Sequence, residues 1–263
     1  ANGVVVITTT RGQSGAPRFK LTQRVGVFTP LRLMEARCWP LEEAVTQFGE
    51  PARAFFADNP NACFDNAEQV YDNRKPSYET LADINGGNQN TRYYVSGSLK
   101  RDEGIERATG FDRAGLRVNL DQNLSSTVDL KLSSVFNRAE HDRGWNNNCN
   151  NYSCHGYAFP YTPSFVNIQE RDAQGNFLTP DWGIQSNTLQ LSQNAVNDEE
   201  TYRFTGGATL GFNAFNTETQ SVRLVAGGGI DAFQQNNQLW SPNELFSERI
   251  ETLPGEAIEQ NGL

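Results

Sequence analysis

Arg92-Tyr-Tyr-Val-Ser-Gly-Ser-Leu99, Ala114-Gly-Leu-Arg-Val-Asn-Leu120 and Val128-Asp-Leu-Lys-Leu132 decide the fold, because in each run apolar side chains recur with a period of two. Tyr93, Val95 and Leu99 share one face of the first run, Ala114, Leu116, Val118 and Leu120 one face of the second, and Val128, Leu130 and Leu132 one face of the third. Turn-forming residues at Asp102-Glu-Gly104 and Asp121-Gln-Asn123 separate them, so the stretch reads as an antiparallel meander. Working outward, 201–213 repeats the pattern with Tyr202, Phe204, Ala208, Leu210 and Phe212, and 219–233 with Val222, Leu224, Ala226, Ile230 and Ala232, the turn falling at Asn213 to Thr219. Upstream, Phe19, Leu21, Val25 and Val27 alternate until Pro30 stops the strand.

Two long segments interrupt this regularity. Residues 31–90 carry short helical patterns at 41–48 and 51–57, the second opened by Pro51, amid Asn-Pro, Lys-Pro and Gly-Gly punctuation. Residues 139–200 hold the Asn146 to Asn151 cluster and an aromatic run from Tyr157 to Phe165, and a loop of that length is rarely idle. The expected organisation is a β-branched strand at Val4 to Ile7 and a first barrel-like strand within 1–30, an excursion over 31–90, strands over 91–138, an aromatic, Asn-rich excursion over 139–200, a hairpin over 201–240 and a tail over 241–263. The expected fold is mainly β: an antiparallel meander of about six to seven strands with two long loop excursions, forming a partial, unclosed barrel-like sheet.

The net charge of -9 over 263 residues leaves no basic patch to displace phosphate counterions, which argues against nucleic acid and against acidic phospholipid surfaces as partners. No apolar run reaches the roughly 18 residues of a membrane helix. The four cysteines, Cys38, Cys63, Cys149 and Cys154, allow three pairings; in an oxidising compartment the local one, 38 with 63 and 149 with 154, is favoured by proximity along the chain, with free thiols the alternative.

Chemistry is sparse. His141 and His155 are the only histidines, and His141-Asp142 stands near no serine or cysteine in an elbow-like turn, so a triad would need long-range contacts throughout. Cys149, Cys154 and His155 offer three zinc-ligand types, but at a cysteine spacing wider than usual, which favours a disulfide-closed loop. Asp198-Glu199-Glu200 reads as a solvated turn rather than a calcium site, and Gly227-Gly-Gly229 lacks the following helix of a phosphate loop. The expectation is therefore no catalytic residue, no cofactor and no metal. Aromatic residues either pack the excursions onto the sheet, stack on sugar rings or anchor a protein contact; the interface candidates are Trp39, Phe55, Trp145, Tyr157, Phe159, Tyr161 and Trp182.

Ala1-Asn-Gly-Val-Val-Val-Ile-Thr-Thr-Thr-Arg-Gly-Gln-Ser-Gly15 resembles the segment that closes the plug of SusC-like (SusC/RagA-type) TonB-dependent outer-membrane transporters. Arg92 to Ser98, Glu103-Gly104, Thr109-Gly-Phe-Asp-Arg113 and Leu116 to Leu120 resemble the early barrel strands of the same family. The resemblance implies an outer-membrane or periplasm-facing origin and TonB-driven nutrient uptake. Because such transporters close about 22 strands around a plug, the chain reads as a truncated segment, and the expected role is a non-enzymatic, membrane-associated periplasmic subunit bracing a larger membrane complex. That complex is expected to be an energy-converting assembly, respiratory or photosynthetic. The alternative is an ordered part of an intact outer-membrane transporter importing glycans, peptides or other nutrients.

Overall fold

The computed structural model describes residues 9–33, 35–145, 154–179, 186–245, 248 and 256–262, with the backbone alone at 157, 256 and 257. Eight strands form one antiparallel sheet in sequence order: β1 (Gly15–Val27), β2 (Pro76–Gly87), β3 (Thr91–Glu103), β4 (Gly110–Asn123), β5 (Val128–Asp142), β6 (Val196–Asn216), β7 (Ser221–Ser241) and β8 (Glu256–Gly262). The described sheet is open, with β1 and β8 as its edges.

The register makes the alternation of each strand add up across the sheet. Leu21 lies opposite Ala82, Ala82 opposite Gly97, Gly97 opposite Leu116, Leu116 opposite Phe136, and Phe136 opposite Phe204. Residues directly opposite in an antiparallel pair project to the same side, so this row and its neighbours form a continuous apolar face. The adjacent row, Lys20, Asp83, Ser96, Arg117, Val135, Thr205 and Asp231, belongs to the opposite, mainly polar face. There charges pair across strands: Arg24 with Glu79, Arg203 with Asp231, and Arg223 with Asp129 at 2.6 Å.

The two rims differ. Residues 88–90, 124–127 and 217–220 make short turns at one rim, whereas 28–75, 143–195 and 242–255 connect strands at the other. At the long rim, α1 (Leu41–Phe48), a 3-10 helix (Glu50–Phe56), α2 (Asn66–Tyr71), α3 (His155–Ala158) and α4 (Thr188–Asn194) build a cap. Gly49, at φ 88°, takes the left-handed turn that ends α1 and lets the 3-10 helix start at once. Among the described residues every buried apolar side chain lies outside the strands. Phe165 sits at the centre of this core, with the rings of Phe48, Phe55 and Phe56 at centroid distances of 5.4, 5.7 and 5.4 Å, and a Cys38–Cys63 disulfide closes the first excursion around it. Cys154 is buried and disulfide-bonded as well, while Cys149 lies outside the described residues.

Several expectations need correction. The segment 31–90 is not wholly an excursion, because it supplies β2, and the tail 241–263 supplies β8. β5 runs to Asp142 and β6 starts at Val196, so the second excursion is shorter than 139–200. Asp121 to Asn123 end β4 instead of turning, and 50–56 is a 3-10 helix. The excursions do not cover the apolar face: they pack on each other, leaving Leu116 50%, Ile230 58% and Leu224 59% exposed. The expected strand at Val4 to Ile7 lies outside the described residues.

Just downstream of that segment, residues 9–13 cross the polar face as a strap. They are held by Arg11 to Asp121 at 3.1 Å, by the Asn119 amide donating to the Thr10 carbonyl at 2.6 Å, and by the Gln13 N–H donating to Asn85 Oδ1 at 2.8 Å. Gly12 lies against β3 so closely that a Cβ there would stand 2.3 Å from the Tyr93 nitrogen.

Because the cap core and the sheet share no buried apolar side chain, they should loosen separately. Phe165→Ala is expected to cost about 3–5 kcal/mol within the cap, and removing Cys38–Cys63 with serines about 3 kcal/mol. Limited proteolysis of the full-length protein checks this: new cleavage within 35–75 and 154–195 with intact strands is expected, and equal cleavage in β3 to β5 would refute it.

Candidate functional site

The cap carries an aromatic cavity of about 350 Å³, built from both excursions. Trp39 enters it from the segment between the disulfide and α1, Phe48 from the end of α1, and Phe159 and Tyr161 from the segment after α3. The backbone joins the two halves where the Phe64 N–H donates to the Ser164 carbonyl at 2.7 Å. Trp39 meets Phe48 edge-on at 5.0 Å, and the Arg37 guanidinium, paired with Glu43 at 2.9 Å, lies 4.0 Å above the indole and fixes its plane. Phe159 is held from behind by Tyr71, at 5.6 Å and nearly perpendicular. Tyr161 is 61% exposed and forms the open lip. Aromatic planes edged by Arg37 and Glu35 suit a flat, partly apolar guest such as a sugar ring or an aromatic side chain.

Of the residues expected at an interface, Trp39, Phe159 and Tyr161 thus come together. Phe55 turns instead toward Phe165 and is half-buried. Trp145 donates its indole N–H to the Val196 carbonyl at 3.1 Å, closing the neck where the second excursion leaves and rejoins the sheet. The Tyr157 side chain and Trp182 lie outside what is described. Phe48, Phe64 and Arg37 were not anticipated at this cavity; Arg37 lies two residues from Trp39 in sequence, and Phe64 follows Cys63, which the disulfide ties to Cys38 beside Trp39.

His155 offers a second polar centre. It is buried at the base of the cap, its Nε2 3.0 Å from Glu106 Oε1 and 3.3 Å from Ser192 Oγ. Both partners meet the same ring nitrogen, whereas a serine–histidine–acid relay needs them on opposite nitrogens. The contact instead ties the β3–β4 turn to α3 and α4. Nearby, burial and the Glu106 charge raise the Tyr71 pKa. His141 lies on β5 beneath Phe111, at 4.6 Å, away from this cluster.

An open antiparallel meander with one apolar exposed face, one polar face, short turns at one rim and long excursions at the other is built as the wall of an outer-membrane β-barrel is built. The comparisons with known proteins narrow that class. The chain is 26% identical over 261 residues to TonB-dependent receptor P26 of Formosa agariphila, covering 94% of this chain and 25% of that protein. TonB-dependent receptor P3 of the same organism is 25% identical over 145 residues, covering 54% of this chain and 14% of its own length. Among solved structures, the RagAB peptide importer superposes with a TM-score of 0.66 in its open-open state and 0.64 in its closed-closed state. Those matches are 14% and 15% identical and cover 96% of this chain, and 31% and 32% of the solved chain. No family model matches. The chain is thus similar to TonB-dependent receptors in sequence and to the SusC/RagA-like RagAB importer in fold, and it spans about a quarter of the length of the curated relative it matches most fully. Neither a bracing subunit nor an energy-converting partner finds support among these relatives.

Tyr161→Ala, at the exposed lip, is expected to change stability by less than about 0.5 kcal/mol. Trp39→Ala, which removes packing and the Arg37 contact together, should cost about 1–3 kcal/mol. Thermal unfolding of the cap followed by its aromatic circular dichroism distinguishes the two.

Proposed function

We propose that the chain forms part of the wall and outer loops of a TonB-dependent outer-membrane transporter that imports a nutrient such as a glycan or a peptide. The observation that carries this reading is the segregation of the sheet, with Leu21, Leu116, Phe136, Phe204 and Leu224 exposed on one face and paired charges on the other. In a barrel the first face meets lipid and the second lines the lumen. The strands support the assignment by their length, since β1 to β7 run from 12 to 21 residues and exceed the roughly 9–11 that a tilted membrane strand needs, with only the edge strand β8, at 7 residues, shorter.

On this reading the cap stands outside the cell and its aromatic cavity is the first surface a solute meets. Residues 9–13 are the end of the plug where it joins the wall. The same reading makes the protein non-enzymatic, which the receptor names of its two relatives favour. No helix among the described residues is long and apolar enough to cross a membrane, and the strands would do so instead. The peptide named for RagAB and the receptor names of the two relatives favour solute import over a scaffold role.

Charge placed on the two faces tests the assignment. In the full-length protein Phe204→Arg should lower the stability of the membrane-inserted state by about 2–4 kcal/mol, with Thr205→Arg, one residue along on the polar face, costing at most about 1 kcal/mol. Folding titrations into lipid vesicles measure both. Equal effects of the two substitutions would overturn the proposal.

A further inference from the structure

The aromatic cavity of the cap contains one polar group whose bonding is incomplete. Asn66, the first residue of α2, lines the cavity and is 5% exposed. Its Nδ2 donates to the Val166 carbonyl at 3.2 Å, whereas its Oδ1 is buried and has no hydrogen-bond partner among the described residues. Turning the amide over would set Oδ1 against the Val166 oxygen, so the bond to Val166 fixes which end is left unpaired. A buried acceptor without a partner destabilises the fold that holds it. A guest that donates a proton to Oδ1 from the cavity recovers that loss.

The other lining groups narrow the guest further. The Thr162 hydroxyl donates to the Ala158 carbonyl at 2.8 Å and the Ser164 hydroxyl to the Arg37 carbonyl, so neither has a proton left to give. Arg37 is paired with Glu43, and Glu35 at the edge presents only acceptor oxygens. The walls are the rings of Trp39, Phe48, Phe64 and Phe159. A sugar carries hydroxyls around its whole edge, and most of them would be stripped of water against these rings without gaining a partner. An aromatic ring makes edge and stacking contacts with the same walls and needs only one donor to satisfy Asn66.

We propose that this cavity is a subsite for a single aromatic ring bearing a hydrogen-bond donor, a phenol or an indole, carried by the incoming solute and donating its O–H or N–H to Asn66 Oδ1. The proposal rests on the solute-import reading and narrows it from any flat, partly apolar guest to a phenolic or indolic one. The ring can arrive as a tyrosine or tryptophan side chain of a peptide or as a free aromatic compound.

Titrations of the full-length protein in lipid nanodiscs, followed by saturation-transfer NMR of the ligand, test this with two pairs that differ only in the phenol hydroxyl. N-acetyltyrosinamide is compared with N-acetylphenylalaninamide, and 2-(4-hydroxyphenyl)ethanol with 2-phenylethanol. The hydroxylated member of a pair should bind about tenfold more tightly. A preference in both pairs assigns the site to the ring from either source; a preference in the amide pair alone assigns it to peptides, and in the alcohol pair alone to free phenols. Asn66→Leu should bring the members of each pair to equal affinity, and Trp39→Ala should weaken both. Equal affinity within both pairs in the unsubstituted protein would overturn the proposal, whether or not Asn66→Leu folds. So would absence of binding, or tighter binding of methyl α-glucopyranoside than of either phenol. Phenol-selective binding by a protein that fails the insertion test on Phe204 and Thr205 would leave the ring site standing and overturn solute import instead.

Discussion

The structure depends on one constraint, the unbroken antiparallel register from β1 to β7. Most strands alternate imperfectly by themselves, since Gln23, Gly97, Ser134, Gly206 and Gly228 interrupt the apolar series of β1, β3, β5, β6 and β7. Register converts those partial patterns into two surfaces, because a slip of one residue in any pair would carry its whole apolar set to the polar side. The irregularities occur at Gly15/Arg18 and at Asn213/Phe215, both near the short-turn rim, where they leave the two surfaces undisturbed between them.

The chain consequently contains two kinds of folded matter. The cap follows the rules of water-soluble proteins, with an aromatic core, capped helices and a disulfide. The sheet inverts them, showing apolar side chains outward over its middle, with ion pairs such as Arg24–Glu79, Arg203–Asp231 and Arg223–Asp129 on the other face and Arg138 with Glu140 and Glu200 on the apolar side toward the long rim. Hydrogen bonding between strands satisfies the sheet's backbone in either environment, which is why a barrel wall can be contiguous with a conventionally packed cap.

Much of the sheet was legible in the sequence. β3 to β7 announced themselves through Tyr93, Leu116, Leu132, Phe204 and Leu224 at even spacing. β2 did not, because Thr80 and Ala82 are weak markers on its apolar face while Leu81 sits on the polar one. The Lys75-Pro76 and Gly86-Gly87 pairs that suggested loop punctuation turn out to bracket the strand. β8 has a single large apolar residue, Ile258, and leaves no periodic trace. The cap was visible as two long aromatic segments, but which aromatics meet depends on how 35–75 docks on 154–195, a tertiary matter that spacing cannot encode. Trp39 and Tyr161 are 122 positions apart and share a cavity, whereas Phe55, equally prominent in sequence, was drawn into the core.

The strap formed by residues 9–13 has a mechanical meaning. Its bonds end on Asn85, Asn119 and Asp121, in β2 and β4, with Gly12 wedged against β3. Tension applied to the chain ahead of Thr9 would therefore not peel β1 from the sheet's edge one hydrogen bond at a time. It would load three interior strands in parallel, so the strap shears as a unit or holds, and the wall behind it acts as the fixed end against which anything upstream is pulled.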